Sequence, residues 1–163
     1  MKIVLLVAGC LLVLLLALVL LPKVVLRAIE PGLEARIARD WPADQVLSKD
    51  LTANFFGLQS KGAGQMRGNG ALVLTARELR FYQVAPEQEL RINLDDIERT
   101  STVRSHLGKT IGVDLLWVSF SVAGRADSVA WYVADPAAWQ QLIAATTERM
   151  RASAMLTGNR TPR

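Results

Sequence analysis

An unbroken apolar run over residues 3–21 constrains this chain more than any other feature. It reads IVLLVAGCLLVLLLALVLL, without a charge and with the Cys10 thiol as its only side-chain hydrogen-bonding group. In an α-helix these residues span roughly 28 Å, close to the hydrocarbon thickness of a bilayer. A helix is the expected form because lipid offers no partner to an unpaired backbone amide. The run therefore predicts a single transmembrane anchor within residues 1–22.

Two other interpretations of this apolar run are a cleaved secretory signal and a lipoprotein signal. A cleaved secretory signal has an apolar region of about 7–15 residues followed by small residues at the cut, whereas Pro22 and Lys23 follow this longer run. The segment V-A-G-C at 7–10 resembles a lipoprotein signal, but the apolar run continues to Leu21 after Cys10, where a lipoprotein turns polar. The sequence favours the uncleaved anchor.

Basic residues beside the run favour a cytoplasmic location for the rest of the chain. Lys23, Arg27, Arg36 and Arg39 follow the run, whereas only Lys2 and the α-amino group precede it. Positive residues tend to stay in the cytoplasm. A periplasmic or extracellular domain is the alternative, because a Met-Lys start before an apolar run is also how exported anchors begin.

Composition excludes several classes of site. The only cysteine, Cys10, lies in the run, so the rest of the chain has no disulfide and no thiolate chemistry. His106 is the only histidine, which leaves no Cys/His cluster for zinc. The net charge of +4 arises at the ends of the chain, and residues 51–134 are nearly neutral. No basic stripe interleaved with aromatic residues is present, which argues against nucleic-acid binding.

Residues 23–50 are expected to be a juxtamembrane connector. Pro31-Gly32 predicts a break in any helix that continues from the anchor. Apolar residues recur every four positions from Leu33 to Trp41, which predicts a short amphipathic helix that ends at Pro42. Such a helix either lies on the bilayer surface or packs on the following domain, and the pattern is too short to choose.

From Leu51 onward the apolar period changes to two, which is typical of β-strands. Seven segments are predicted as strands: residues 51–59, 71–75, 78–84, 88–94, 97–104, 115–122 and 127–133. The polar segment 97–104 is expected at an edge of the sheet, and residues 60–70 are expected to form a glycine-rich loop.

One helix follows the strands. Asp135 suits its N-cap and Pro136 its first position, and Trp139, Leu142 and Ile143 share one face. Residues 153–163 are expected to be a disordered tail. The order predicts an α+β, mainly β domain over residues 51–152. A barrel or bent sandwich closed by the helix would bury all the apolar faces, and a seven-strand barrel is the expected form.

Three segments of this domain are similar to recurring elements of a known superfamily. They are G-A-L-V-L-T-A-R-E-L-R-F-Y at 70–82, I-N-L-D-D-I at 92–97 and D-P-A-A-W-Q-Q-L-I at 135–143. The domain thereby resembles a bacterial pleckstrin-homology-like domain of the GRAM or bacterial PH type. The resemblance implies a small barrel closed by its C-terminal helix.

The resemblance also implies a ligand site, because pleckstrin-homology-like domains often hold phosphate headgroups with cationic loops at the open end of the barrel. Lys61 and Arg67 flank the glycine-rich loop, and Arg104, His106 and Lys109 lie in R-S-H-L-G-K. Backbone amides of glycine-rich loops together with cations suit a phosphate. The alternating Lys and Arg of the eukaryotic lipid-binding signature are absent here.

The first functional hypothesis is a membrane-anchored, non-enzymatic interaction module that binds a partner protein. An edge strand such as 97–104 could accept a peptide by strand addition. Recognition of anionic lipid headgroups by the basic loops is the first alternative, and an exported cell-envelope assembly factor is the second. No catalytic arrangement is readable, and neither a cofactor nor a metal is expected.

Overall fold

The structure, a computed structural model, describes residues 14–18 and 28–158. The predicted anchor over residues 1–22 therefore lies outside the described residues except at 14–18. Those five residues are helical, and their four leucines are 50% to 73% exposed. Within the two described ranges, no helix has both the length and the apolar character needed to cross a bilayer.

Seven strands form one antiparallel sheet, as the sequence predicts. They are β1 (Val46–Leu58), β2 (Gly68–Thr75), β3 (Glu78–Gln83), β4 (Gln88–Asn93), β5 (Ile97–Val103), β6 (Leu115–Val122) and β7 (Arg125–Tyr132). Their order in the sheet is β4-β3-β2-β1-β7-β6-β5. Strand β1 belongs to both halves, because its register with β2 runs from Val46 to Phe55 and its register with β7 runs from Asn54 to Leu58.

The predicted barrel is wrong, because the sheet stays open between its outer strands β4 and β5. A helix, α2 (Pro136–Gly158), contacts β5 where a closing strand would lie. Gln140 Nε2 donates to the carbonyl oxygen of Thr100 at 3.3 Å, and Arg151 Nη2 donates to that of Ile97 at 2.9 Å. These bonds attach α2 to the outer strand β5.

One hydrophobic core receives side chains from both halves of the sheet. One face of every strand contributes to it, and Trp139 and Ile143 of α2 cover it. Phe81 lies at its centre, with its ring 5.8 Å from that of Phe55 and 6.1 Å from that of Trp131. Because every strand buries one face in the same core, the sheet bends around that core.

Helix α2 begins as predicted and ends later than predicted. The Asp135 carboxylate accepts the backbone N–H of Ala138 at 2.9 Å, which is the expected N-cap bond. The helix continues to Gly158, so residues 153–158 of the predicted disordered tail are helical. Alanine, methionine and leucine in this segment favour helix, and the first glycine comes at its end. Residues 159–163 lie outside the described residues.

Residues 28–40 form a helix, α1, that packs on the sheet face opposite the core. The predicted break at Pro31-Gly32 is wrong, because both residues lie within this helix. Leu33 and Ile37 are buried against β2 and β3, and burying each stabilises the packing by roughly 1.5–3 kcal/mol. This gain offsets the cost of placing a glycine and a proline in the helix.

Ionic and aromatic contacts fix the end of α1 to β3. The buried Arg80 guanidinium pairs with Asp40 at 3.0 Å and with Glu78 at 2.5 Å. Tyr82 donates its hydroxyl to the Asp40 carboxylate at 3.0 Å and accepts the indole N–H of Trp41 at 3.2 Å. Burial alone would raise the pKa of Asp40, but hydrogen bonds from Arg39 and Tyr82, with the nearby arginine charges, lower it. Residues 28–41 of the predicted connector therefore pack on the sheet.

Three strands begin earlier than predicted, and one of them is β7, which starts at Arg125 and not at residue 127. Strand β1 starts at Val46, inside the predicted connector, and β2 starts at Gly68, inside the predicted glycine-rich loop. A Cβ atom at Gly70 would overlap the backbone carbonyl of Tyr82 on β3. This glycine thus permits close approach of two strands and does not mark a loop.

Candidate functional site

Three connections meet at one end of the sheet, which we call the loop end: residues 59–67, 84–87 and 104–114. The Lys109 ammonium joins two of them to β1, since it donates to the carbonyl oxygens of Phe56, at 3.3 Å, and Gln65. The turn at 84–87 lies beside them, because the side chains of Lys61 and Gln65 line one small cavity with Gln88. The structure thus brings together the two loops that the sequence assigns to a ligand site.

His106 faces inward at the loop end. It is only 6% exposed, and its Nε2 lies 3.0 Å from the carbonyl oxygen of Gly57. Because a carbonyl oxygen can only accept, Nε2 carries the proton. Burial lowers the pKa of His106, against the opposing effect of its hydrogen bond to Gly57. The ring is therefore a neutral donor to β1.

The backbone conformation at Gly57, which few other residues adopt, presents its carbonyl oxygen to His106. The Gly57 φ of +120° is rarely adopted by other residues, and a Cβ there would lie 2.9 Å from Cδ1 of Leu107. Residues His106 and Lys109 also exchange two backbone hydrogen bonds, at 3.0 and 2.9 Å, which make a tight turn. The histidine and lysine of R-S-H-L-G-K therefore hold the loop against β1.

The other three predicted ligand residues lie on the surface. Arg67 stacks on the ring of Phe56 at 4.3 Å, and its Nε donates to Asn54 Oδ1 at 2.9 Å. Arg104 donates to the carbonyl oxygen of Gly112 at 2.9 Å and has Asp114 at 3.5 Å. Lys61 is exposed and makes no ion pair with any described residue. These three cations remain accessible to an anion.

Exposed apolar side chains share these loops, a feature that the sequence analysis missed. Met66 is 76% exposed, Ile111 39% and Val113 45%. The signal was present as apolar residues inside otherwise polar, glycine-containing loops. Apolar tips interleaved with cations are typical of surfaces that lie in the interfacial region of a bilayer.

The chain also arrives in α1 at the loop end. Ala28 and Ile29 line a cavity together with Val84 and Glu87 of the 84–87 turn. Further along α1, Arg36 Nη1 donates to the carbonyl oxygen of Gln83 at 3.3 Å. The N-terminal end of α1 therefore lies beside the 84–87 turn.

A second candidate surface lies where β1 has no strand on one side. Within the described residues, β1 pairs with β7 only from Asn54 onward, so residues 46–51 have a free edge. A cavity of about 520 Å³ lies between this edge and α1, and one of about 370 Å³ lies between it and the start of α2. Ser48 and Lys49 line both cavities, so the cavities adjoin along the edge. We call the two together the β1 groove.

The two outer strands, β4 and β5, carry contacts that hinder pairing with another chain, whereas the free edge of β1 does not. Strand β5 is at the edge of the sheet, as predicted for 97–104, but α2 side chains bind the carbonyl groups of Ile97 and Thr100. Strand β4 carries the exposed ion pair between Arg91 and Glu89, at 3.1 Å. Leu47, in contrast, is 47% exposed on the free edge of β1.

No group of three or more histidine, cysteine or acidic side chains in ranges 14–18 and 28–158 is arranged to hold a metal ion. The loop end offers cations and apolar tips, and the groove offers backbone and apolar surface.

Comparison with known proteins adds distant structural likenesses. No family model and no curated protein matches the chain. A chain of "The 8S snRNP Assembly Intermediate" is similar with a TM-score of 0.48 and 9% identity, over 68% of this chain and 85% of that chain. "The hSac2 domain from human phosphoinositide phosphatase Sac2" is similar with a TM-score of 0.43 and 12% identity, over 83% and 86%. At these low TM-scores, the architecture rests on the strand order and register given above.

Proposed function

We propose that the protein is a membrane-anchored, non-enzymatic interaction module whose loop end rests on the bilayer. One observation carries this proposal: the chain enters α1 at the same end of the domain that presents Lys61, Met66 and Arg67. An anchor that precedes α1 would place this end nearest the lipid. The exposed leucines of the helical residues 14–18 support such an anchor.

The loop end has the composition that a bilayer surface would stabilise. A lysine or arginine near an anionic surface contributes roughly 1 kcal/mol, and Lys61, Arg67 and Arg104 are accessible. Each CH₂ group of Met66, Ile111 or Val113 that enters the acyl region adds about 0.8 kcal/mol. Because the anchor already holds the domain at the membrane, contacts of this size are sufficient.

The ligand site predicted from the sequence is proposed here in a reduced form. Lys61, Arg67 and Arg104 would contact lipid phosphate groups, while His106 and Lys109 hold the two loops together from within. Support for a pleckstrin-homology-like fold comes from the seven antiparallel strands and from the C-terminal helix against the core.

Depth-dependent quenching of the full chain in nanodiscs tests the bilayer contact. In a Cys10→Ser background, a fluorophore at Met66→Cys should be quenched by brominated lipids, and more strongly when phosphatidylglycerol is present. The matched control is Met155→Cys, because Met155 is 75% exposed and lies on the C-terminal part of α2. Equal quenching at the two positions would refute the proposed orientation.

Charge removal provides the second arm of this test. Replacing Lys61, Arg67 and Arg104 by glutamine should abolish the extra quenching in anionic nanodiscs. Arg77→Gln serves as the control, because Arg77 is exposed on the turn between β2 and β3, away from the loop end. If the triple variant behaves like Arg77→Gln, lipid recognition by these residues is wrong.

Binding of a partner protein is the second candidate function, and the free edge of β1 favours it. We further propose a cytoplasmic location, because Lys23 and Arg27 follow the apolar run. A cytoplasm-active reporter fused after Arg163 should be active. Activity of an export-dependent reporter instead would support the exported envelope factor.

A further inference from the structure

Within the described residues, β1 has no neighbouring strand on one side of residues 46–51, so backbone groups there remain open to pairing. An unprotected strand edge is a template for pairing with another chain, and proteins usually block such edges with charges or covering elements. Strand β4 carries an ion pair and β5 has α2 beside it, whereas residues 46–51 present a half-exposed leucine and a groove. An exposed edge selects an extended backbone.

Apolar residues line the groove beside this edge, so it favours a bound segment with apolar side chains. On one side, Ile37 and Trp41 of the α1 region form its wall together with Leu47. On the other side, Trp139 and Leu142 of α2 form it. Since successive side chains of a strand point to opposite faces, an added strand would place alternate residues against these two walls.

The charges of the groove favour a bound segment that carries basic residues. Its lining carries three carboxylates, Glu34, Asp50 and Asp135, and one ammonium, that of Lys49. Lys49 is already paired with Glu34 at 2.8 Å. The remaining carboxylates give the groove a negative potential, which a lysine or arginine of the occupant would complement.

We propose that a partner protein adds an extended segment, with apolar residues at alternate positions and at least one basic residue, to the free edge of β1. This inference rests on the proposed role as an interaction module and is independent of the bilayer contact at the loop end. Asp50 supports the geometry, because its carboxylate accepts the N–H groups of Thr52 and Ala134, both at 2.8 Å. These bonds fix the end of the edge to the chain that leads into α2.

A synthetic peptide tests the inference on the full chain in neutral detergent micelles. The probe is a fluorescein-labelled Lys-Val-Thr-Val-Lys-Val-Thr-Val peptide, followed by fluorescence anisotropy. We expect saturable binding that a proline in the centre of the peptide abolishes, because proline lacks the N–H that strand pairing needs. Replacing its lysines by glutamates should weaken binding at least about tenfold, the size of a central interface contact.

Two matched variants locate the binding site. Leu47→Lys should weaken peptide binding at least about tenfold, whereas Val122→Lys should not change it. Leu47 is 47% exposed and Val122 is 50% exposed, and both lie on strands, so both variants should fold. Hydrogen exchange of the amides of residues 46–51 should slow in the presence of the peptide, and exchange in β4 should not.

Three results would overturn the inference: no saturable binding, equal binding of the proline peptide, or equal weakening by the two variants. Tighter binding of the glutamate peptide would overturn the assignment of a basic occupant. Because the micelles contain no anionic lipid, failure here leaves the bilayer contact of the loop end standing, and failure in nanodiscs leaves peptide binding standing.

Discussion

Lys109 distinguishes a residue that holds the loops from one that binds a ligand, and its replacement makes a quantitative prediction. Lys109→Met keeps the apolar stem of the side chain and removes an ammonium that donates to the carbonyl oxygens of Phe56 and Gln65. A hydrogen bond from a charged donor contributes about 1.5–3 kcal/mol. The 3.3 Å bond to Phe56 is longer than the usual range and therefore weak. We expect the free energy of unfolding to fall by about 2–3 kcal/mol.

Urea unfolding of the full chain in micelles, followed by tryptophan fluorescence, measures this decrease. Lys61→Met is the matched control, because Lys61 is exposed and makes no described ion pair, and it should change the free energy of unfolding by less than about 0.5 kcal/mol. Amide exchange over residues 59–67 should accelerate in Lys109→Met alone. The reasoning would be refuted by equal urea midpoints for the two variants together with weaker lipid quenching of the Met66→Cys fluorophore in Lys109→Met alone. That result would restore Lys109 as a ligand residue.

Three further predictions concern α1, the sheet and pH. Arg80→Met leaves Glu78 without its ion-pair partner, while Asp40 keeps its bonds to Arg39 and Tyr82, so unfolding should become easier by about 3 kcal/mol, the lower end of the range for a broken buried ion pair, and α1 should lose protection in hydrogen exchange; unchanged protection of α1 would contradict this. Gly70→Ala should destabilise the domain by at least about 1–3 kcal/mol, because its methyl group would meet the carbonyl of Tyr82; a wild-type melting curve would show that the strands do not approach so closely. The pKa of His106 is lowered in the folded state, so below about pH 6.5 the unfolded state takes up this proton first and stability falls as pH drops. His106→Gln should flatten this slope in urea titrations at successive pH values, and an equally steep slope would exclude His106 as its source.

Local patterns were sufficient to predict the strands and the start of α2. Alternation of apolar residues identified all seven strands, and Asp135 and Pro136 identified the helix start, because side-chain periodicity and cap chemistry act within a few residues. Local patterns gave the wrong secondary structure where contacts with residues distant in the chain determined the conformation. Gly68 and Gly70 have loop composition, yet they lie in β2, where the absence of a Cβ at Gly70 lets β3 approach closely.

The sequence named the two loops of the candidate site but not what each of their residues contacts, and a ligand site there stays a prediction. The sequence pointed to two loops, and the structure brings them together at one end. It could not separate Lys61, which is exposed, from His106 and Lys109, which donate to β1 backbone. That distinction depends on where Gly57 and Phe56 present their carbonyl groups, and those residues are some fifty positions away in the chain. Met66 is an apolar residue inside a polar loop, which was a signal in the sequence, but its exposure is a property of the folded surface.

The sequence by itself determined the mainly β class, the strand positions and the apolar run that predicts an anchor, because each follows from composition and periodicity along the chain. Only the tertiary structure decided that α1 packs on the sheet, that α2 leaves the sheet open beside β5, and that β1 keeps a free edge before Asn54. These outcomes depend on which surfaces meet across long separations in the chain. Burial of Leu33 and Ile37, the ion pairs of Arg80 and the bonds from α2 to β5 select among packings that the same local patterns allow.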